Sequence, residues 1–93
     1  MRIHCTEAAH HAAHRDLRDD ETLRIAFAGG CGAMGFRLHV SRRPQEDDLS
    51  LQTSSGLPLL LDAMAARELD GATLDYDGDE GFTLDHPNWG ASC

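Results

Sequence analysis

Residues 27–35 read Phe27-Ala28-Gly29-Gly30-Cys31-Gly32-Ala33-Met34-Gly35, and the fold turns on whether a helix or a strand comes after them. Gly30 to Gly35 fit G-x-G-x-x-G behind a strand-like run, Leu23-Arg24-Ile25-Ala26-Phe27-Ala28. Such a loop either cradles a dinucleotide phosphate or presents a cysteine. The first use needs a helix directly after the glycines, because its N-terminal N–H groups bind the pyrophosphate. The sequence offers Phe36-Arg37-Leu38-His39-Val40-Ser41, an alternation that reads as a strand, and Arg42-Arg43-Pro44 then stops it. Too few residues remain for a crossover helix. The acids Glu46, Asp47 and Asp48, spaced as a ribose-binding acid would be, are then a coincidence. The loop therefore joins two strands and carries Cys31 at its turn. Gly29, Gly30 and Gly32 free the backbone and clear side chains from around the thiol. Two readings remain: an approachable ligand for a metal or cluster, or a flexible hairpin with an incidental cysteine.

Outward from the loop, most of the chain has a period of two. Strands are expected near residues 23–28, 36–41, 48–52, 57–61, 72–77 and 80–85, mostly with one wet and one buried face, the habit of antiparallel sheets. Asp77-Gly78 between two alternating runs is a type I′ hairpin signal. Residues 7–18 read as a helix, with Thr6 as N-cap, Glu7 in the first turn and a narrow stripe of Ala9, Ala13 and Leu17. Residues 62–68 read as a short second helix capped by Asp62. The expected core is Leu23, Ile25, Phe27, Phe36, Leu38, Val40, Leu49, Leu51, Leu59, Leu61, Leu74, Tyr76, Phe82 and Leu84. The fold class is mainly β with two short α-helices, in a single domain over residues 1–93.

The chain has 93 residues and a formal net charge of −8. A chain this acidic repels phosphate backbones and anionic headgroups, so neither nucleic acid nor membrane is an expected partner. Met1 runs straight into a charged, His-rich stretch with no apolar leader, so the expected location is cytoplasmic. Cys5, Cys31 and Cys93 are then reduced, and in that setting they point to metal or thiol chemistry. His10, His11 and His14 form H-H-x-x-H, and His10 and His14 are spaced to share one metal. No Glu is placed as in H-E-x-x-H, so a metalloprotease is not expected and the histidines read as a solvated face with, at most, incidental metal affinity. Cys5 reads as a small buried hydrophobe, Trp89 as a packing residue of the tail, and Asp75, Asp77, Asp79, Glu80 and Asp85 as the wet face of a hairpin. No spacing fixes a Ser/His/Asp or Cys/His pairing, and no enzyme activity is expected.

Three segments carry a resemblance. Residues 29–38, Gly29-Gly30-Cys31-Gly32-Ala33-Met34-Gly35-Phe36-Arg37-Leu38, resemble the Gly-Cys-Ser-Gly-x-x-Tyr-x-Leu segment of the A-type iron–sulfur carriers, the HesB/IscA-like family. Leu69-Asp70-Gly71-Ala72-Thr73-Leu74-Asp75-Tyr76 resembles its Leu-x-Gly-Thr-x-Leu-Asp-Tyr/Phe segment. Gly81-Phe82-Thr83-Leu84-Asp85-His86-Pro87-Asn88 resembles its Gly-Phe-x-Phe-x-Asn-Pro-Asn segment. The opening Ile3-His4-Cys5-Thr6-Glu7-Ala8-Ala9 is similar to the family's short strand and helix start, so the match runs in order along nearly the whole chain.

The resemblance implies a compact sandwich of antiparallel and mixed sheets with an N-terminal helix. It implies a scaffold that carries a labile iron–sulfur cluster, [2Fe-2S] by preference, or iron, to apoprotein recipients within cluster assembly. The family uses one cysteine in the glycine loop and a Cys-Gly-Cys near the C-terminus. Cys31 matches the first and Cys93 the second, and both are the expected metal and cluster ligands. The third has no counterpart within these 93 residues. Four thiolates for a [2Fe-2S] cluster then come from two chains, so a homodimer is expected when the cluster is bound. The alternative is a divergent member without a cluster that serves as a protein-interaction or regulatory module.

Overall fold

The N-terminal helix shows how local chemistry and the larger frame interlock. Thr6 Oγ1 accepts the N–H of Ala9 at 3.2 Å, as an N-cap should, and donates to Asp75 at 2.8 Å. One hydroxyl thus starts the helix and ties it to a distant strand. The computed structural model describes residues 2–30, 32–87 and 89. Along them run β1 (His4–Cys5), α1 (Glu7–Asp16), β2 (Thr22–Phe27), a 3-10 turn (Gly32–Gly35), β3 (Phe36–Ser41), β4 (Leu49–Gln52), β5 (Pro58–Leu61), α2 (Ala63–Glu68), β6 (Thr73–Asp77) and β7 (Gly81–Asp85). The first helix stops at Asp16, two residues before its expected end. Leu17 turns to extended backbone (φ −92°, ψ 137°), while its N–H still closes the last turn on the Ala13 carbonyl at 2.9 Å.

The strands form two sheets, one ordered β1-β6-β7 and one ordered β3-β2-β5-β4. Alternation suggested antiparallel pairing, yet β1 lies parallel to β6 and β2 parallel to β5. Alternation reports which face is wet, not which way the neighbouring strand runs. The parallel pair β2–β5 is possible because β3 and β4, which lie between them in sequence, take the two outer places in the sheet. Leu23 and Ile25 stand beside Leu59 and Leu61 across that pair, and all four are buried. Ile3, Leu69, Leu74 and Leu84 join them, and Ala9, Ala13 and Ala65 let the helices approach closely.

Two expected core residues are exposed: Val40 at 47% and Leu49 at 53%. They pair with buried Leu23 and Leu61, so they share the inner face. They sit on the outer strands, where that face is no longer fully covered. Phe27, Leu38, Leu51, Tyr76 and Phe82 pack half-buried against the core, while Leu57 and Ala72, absent from the expected core, are buried. The β6–β7 turn also differs from the I′ form. Asp77 pairs with Gly81, leaving residues 78–80 as a three-residue loop. The left-handed residue is Gly81 (φ +84°), and Asp77 Oδ1 takes the N–H of Asp79 at 2.8 Å. That Asx bond and the late glycine favour the longer turn.

Arg24 and Asp48 lie buried under the β3–β4 connection. Arg24 donates to both carboxylate oxygens, at 2.9 and 2.8 Å, and the side chains are only 8% and 1% exposed. The Arg24 hydrogen bonds hold the Asp48 carboxyl below its ordinary range, against the opposing effect of burial, and raise the guanidinium further still. A folded pKa below the unfolded one means stability complete above about pH 4 and lost as pH falls through the folded value. Urea denaturation between pH 7 and 2 is expected to show that acid loss. Asp48→Asn is expected to remove about 3–5 kcal/mol at pH 7, since it leaves Arg24 buried and unpaired. A cost below about 1 kcal/mol, the worth of an exposed pair, would contradict this.

Candidate functional site

The glycine loop begins where Asp62 stops β2. The Asp62 carboxylate accepts the N–H of Phe27 at 3.0 Å and the N–H of Ala65 at 2.7 Å, so it fixes the strand end and caps α2 together. Its own N–H donates to the Ile25 carbonyl at 3.2 Å. One residue on, the Ala28 N–H donates to the Gly35 carbonyl at 2.7 Å and closes the loop. Gly29 and Gly30 take φ of +92° and +120°, which side-chain-bearing residues rarely adopt. A Cβ on Gly35 would lie 3.0 Å from the Gly30 carbonyl oxygen, so the two limbs touch backbone to backbone. The 3-10 turn rests on β3 and on β7, one strand from each sheet.

Trp89 covers this turn. Its indole stacks on Phe36 at 5.8 Å between centroids and 22° between planes. A Cβ on Gly32 would sit 3.9 Å from three Trp89 side-chain atoms, which is ordinary van der Waals contact. Phe27 meets Phe36 edge-on at 5.5 Å, and His86 lies 5.7 Å from Trp89. An aromatic row thus runs from the end of β2, under the loop, to the start of the C-terminal segment. His86 is itself buried, with Nε2 2.6 Å from the Asp70 carbonyl oxygen to which it donates. The Trp89 N–H donates to the His86 carbonyl at 3.0 Å, which fixes the turn after β7.

The two expected ligands, Cys31 and Cys93, lie outside the described residues. The residues beside them are brought together: Gly32 comes directly after Cys31, and Trp89, four positions before Cys93, lies on Gly32. The mouth is open, with Gly29 and Gly30 exposed and Met34 88% exposed. Cys5 is remote in role. It is half-buried against the core, and its Sγ donates to the Thr6 carbonyl at 3.6 Å. His10 and His14 have ring centroids 4.4 Å apart. Among the described residues, no three His, Cys, Asp or Glu side chains converge as a metal site. Asp75, Asp77, Asp79, Glu80 and Asp85 are all exposed. The strand at Phe36–Ser41 occupies the place of the helix that a dinucleotide loop requires.

The sequence marks Asp62 as a cap and Trp89 as a residue that packs the tail or touches a partner, but not the further contacts of either. The second acceptor role of Asp62 follows from the parallel β2–β5 pairing, which periodicity does not encode. For Trp89 the one available signal was its position between the His86-Pro87-Asn88 segment and Cys93.

A family model described as iron-sulphur cluster biosynthesis matches residues 1–92. The iron-sulfur cluster insertion protein ErpA of Alcanivorax borkumensis is 36% identical over 100 residues, covering 98% of this chain and 82% of that protein. The fold is similar to that of Escherichia coli SufA, which is involved in biosynthesis of iron-sulfur clusters, with a TM-score of 0.67 at 21% identity over 94% of this chain and 87% of that one. It is also similar to IscA solved with a [2Fe-2S] cluster, with a TM-score of 0.59 at 23% identity over 92% of this chain and 86% of that one. The mainly-β arrangement with two helices and mixed sheets is shared with both.

The loop geometry is testable by glycine substitution. Gly35→Ala is expected to cost about 1–3 kcal/mol through the clash with the Gly30 carbonyl. Gly78→Ala, with open space around it and no left-handed φ, is expected to stay within about 0.5 kcal/mol of the parent. Urea denaturation of the two variants decides the matter, and equal costs would contradict the backbone contact.

Proposed function

The chain belongs to the iron-sulphur cluster biosynthesis family, and on that premise we propose that it carries a labile iron–sulfur cluster, [2Fe-2S] by preference, or iron, to recipient apoproteins. The cluster is cargo, and the chain is a carrier and not an enzyme. It works as one domain over residues 1–93, in a reducing compartment such as the cytoplasm, where thiols stay available. Its partners are the assembly proteins that load it and the apoproteins that receive from it.

The contact of Trp89 with Gly32 carries this proposal. Cys31 adjoins Gly32, and four residues span at most about 14 Å, so a chain leaving Trp89 has the reach to return Cys93 to the loop. Thiolates suit the cargo because soft, charge-donating sulfur matches iron. A [2Fe-2S] cluster takes four such ligands, and Cys31 and Cys93 from each of two chains supply them. The described part of the loop contributes no bulky wall on its open side, since a Cβ on Gly29 would meet nothing within 4 Å. Ligand exchange with a recipient needs that access. A fully caged cluster would stay where it was.

Anaerobic reconstitution with iron and sulfide tests the proposal. Visible charge-transfer absorption is expected, with one [2Fe-2S] cluster per two chains and a dimer on gel filtration that reverts to monomer when the metal is chelated. Fluorescence of Trp89, the only tryptophan, is expected to be quenched on loading. Cys31→Ser should abolish the colour, and Cys93→Ser should weaken it and the dimer together. A colourless wild-type protein would favour the interaction-module alternative. One full cluster per monomer, or colour that survives Cys31→Ser, would overturn the ligand assignment.

A further inference from the structure

We propose that His10 and His14 form a second, independent site on α1 for a divalent transition-metal ion of the nickel or copper class. Their rings lie 4.4 Å apart between centroids and are tilted by 56°. A metal bound in-plane about 2.0–2.1 Å from an imidazole nitrogen lies about 3.2 Å from that ring's centroid, so a right angle at the metal sets two centroids about 4.5 Å apart. The observed separation matches that value. Two non-parallel ring planes meet along a line, and an ion bound in both planes lies on it. Near-right angles between ligands suit square-planar and octahedral ions, with water in the remaining places.

The surroundings also offer the His10 ring an outer hydrogen-bond partner. His10 Nδ1 lies 2.9 Å from Ser55 Oγ, which lies 3.2 Å from Thr53 Oγ1. Thr53 Oγ1 accepts the Leu57 N–H at 3.2 Å, and Thr53 is buried. With the Ser55 hydroxyl donating to Thr53, Ser55 Oγ accepts the proton on His10 Nδ1. In that arrangement the lone pair is on Nε2, one of the two nitrogens through which an imidazole binds metal. The ring is held by an outer partner, as ligating histidines usually are. Ala9 and Ala13, buried along the neighbouring stripe of α1, hold the helix to the core, so the pair is presented by a fixed element. His11 is exposed, and its ring lies 6.4 Å from that of His10, farther than a shared right-angle ion permits.

Nickel(II) alone is the probe, because it has no redox chemistry with the protein here and favours right-angle ligation. The full chain is first alkylated with iodoacetamide, so that thiols contribute nothing and the outcome is separate from cluster loading. Isothermal titration is expected to show one nickel per chain. His14→Ala is expected to weaken binding about 10-fold or more, Ser55→Ala to weaken it less but measurably, and His11→Ala to leave it unchanged. Far-UV circular dichroism accompanies each variant. In the unsubstituted chain, nickel should broaden the ring proton signals of His10 and His14 before those of His4, His39 or His86. Absence of nickel binding, equal weakening by His11→Ala and His14→Ala, or broadening centred on another histidine would overturn the site.

Discussion

The Asp62 carboxylate accepts two backbone N–H groups, one from Phe27 and one from Ala65, and its own N–H reaches back to the Ile25 carbonyl. Those three bonds fix where β2 ends relative to where α2 begins. The glycine loop starts at that fixed point. Its other limb returns through Gly35 and continues as β3, whose first residue, Phe36, is the platform for Trp89. An apolar residue at position 62 would leave the Phe27 donor and the first turn of α2 without this acceptor. The loop mouth would then lose its reference to the core.

From this constraint the site gains an order that its glycines alone do not provide. Glycines at positive φ allow many loop shapes. The Ala28–Gly35 hydrogen bond, the backbone contact of Gly30 with Gly35 and the indole over Gly32 select one. The same indole stands four residues after the end of β7. The loop and Trp89 are therefore neighbours because of a stacking contact between the first residue of β3 and the indole. The buried Arg24–Asp48 pair supports the arrangement from the other face of β2.

Much of this frame was legible in the sequence. Alternation fixed β3 to the residue, and the Thr6 and Asp62 caps located both helix starts, because those signals act between residues close in the chain. Val40 and Leu49 were misplaced, since alternation assigns a face and cannot tell an outer strand from an inner one. The parallel neighbours of β2 and β6 were likewise hidden, and so was the three-residue turn in which Gly81 takes the left-handed place. At the site, the glycine loop and its cysteine were read from residue types. The indole over that loop was not, because the contact joins residues far apart in the chain. Cys31 and Cys93 lie outside the described residues, and the joint role proposed for them is supported by the family and by the positions of Gly32 and Trp89.

A carrier delivers its cargo directly, by ligand exchange at an open site, and does not shed it first into solution. The most direct measurement mixes the anaerobically loaded protein with an apo form of a [2Fe-2S] acceptor protein in the presence of excess iron chelator. Visible circular dichroism then tracks the acceptor's own cluster signal. Direct delivery gives holo-acceptor at a rate that rises with acceptor concentration and is insensitive to the chelator. If the chelator instead takes the iron and the acceptor gains no cluster, the carrier role is contradicted.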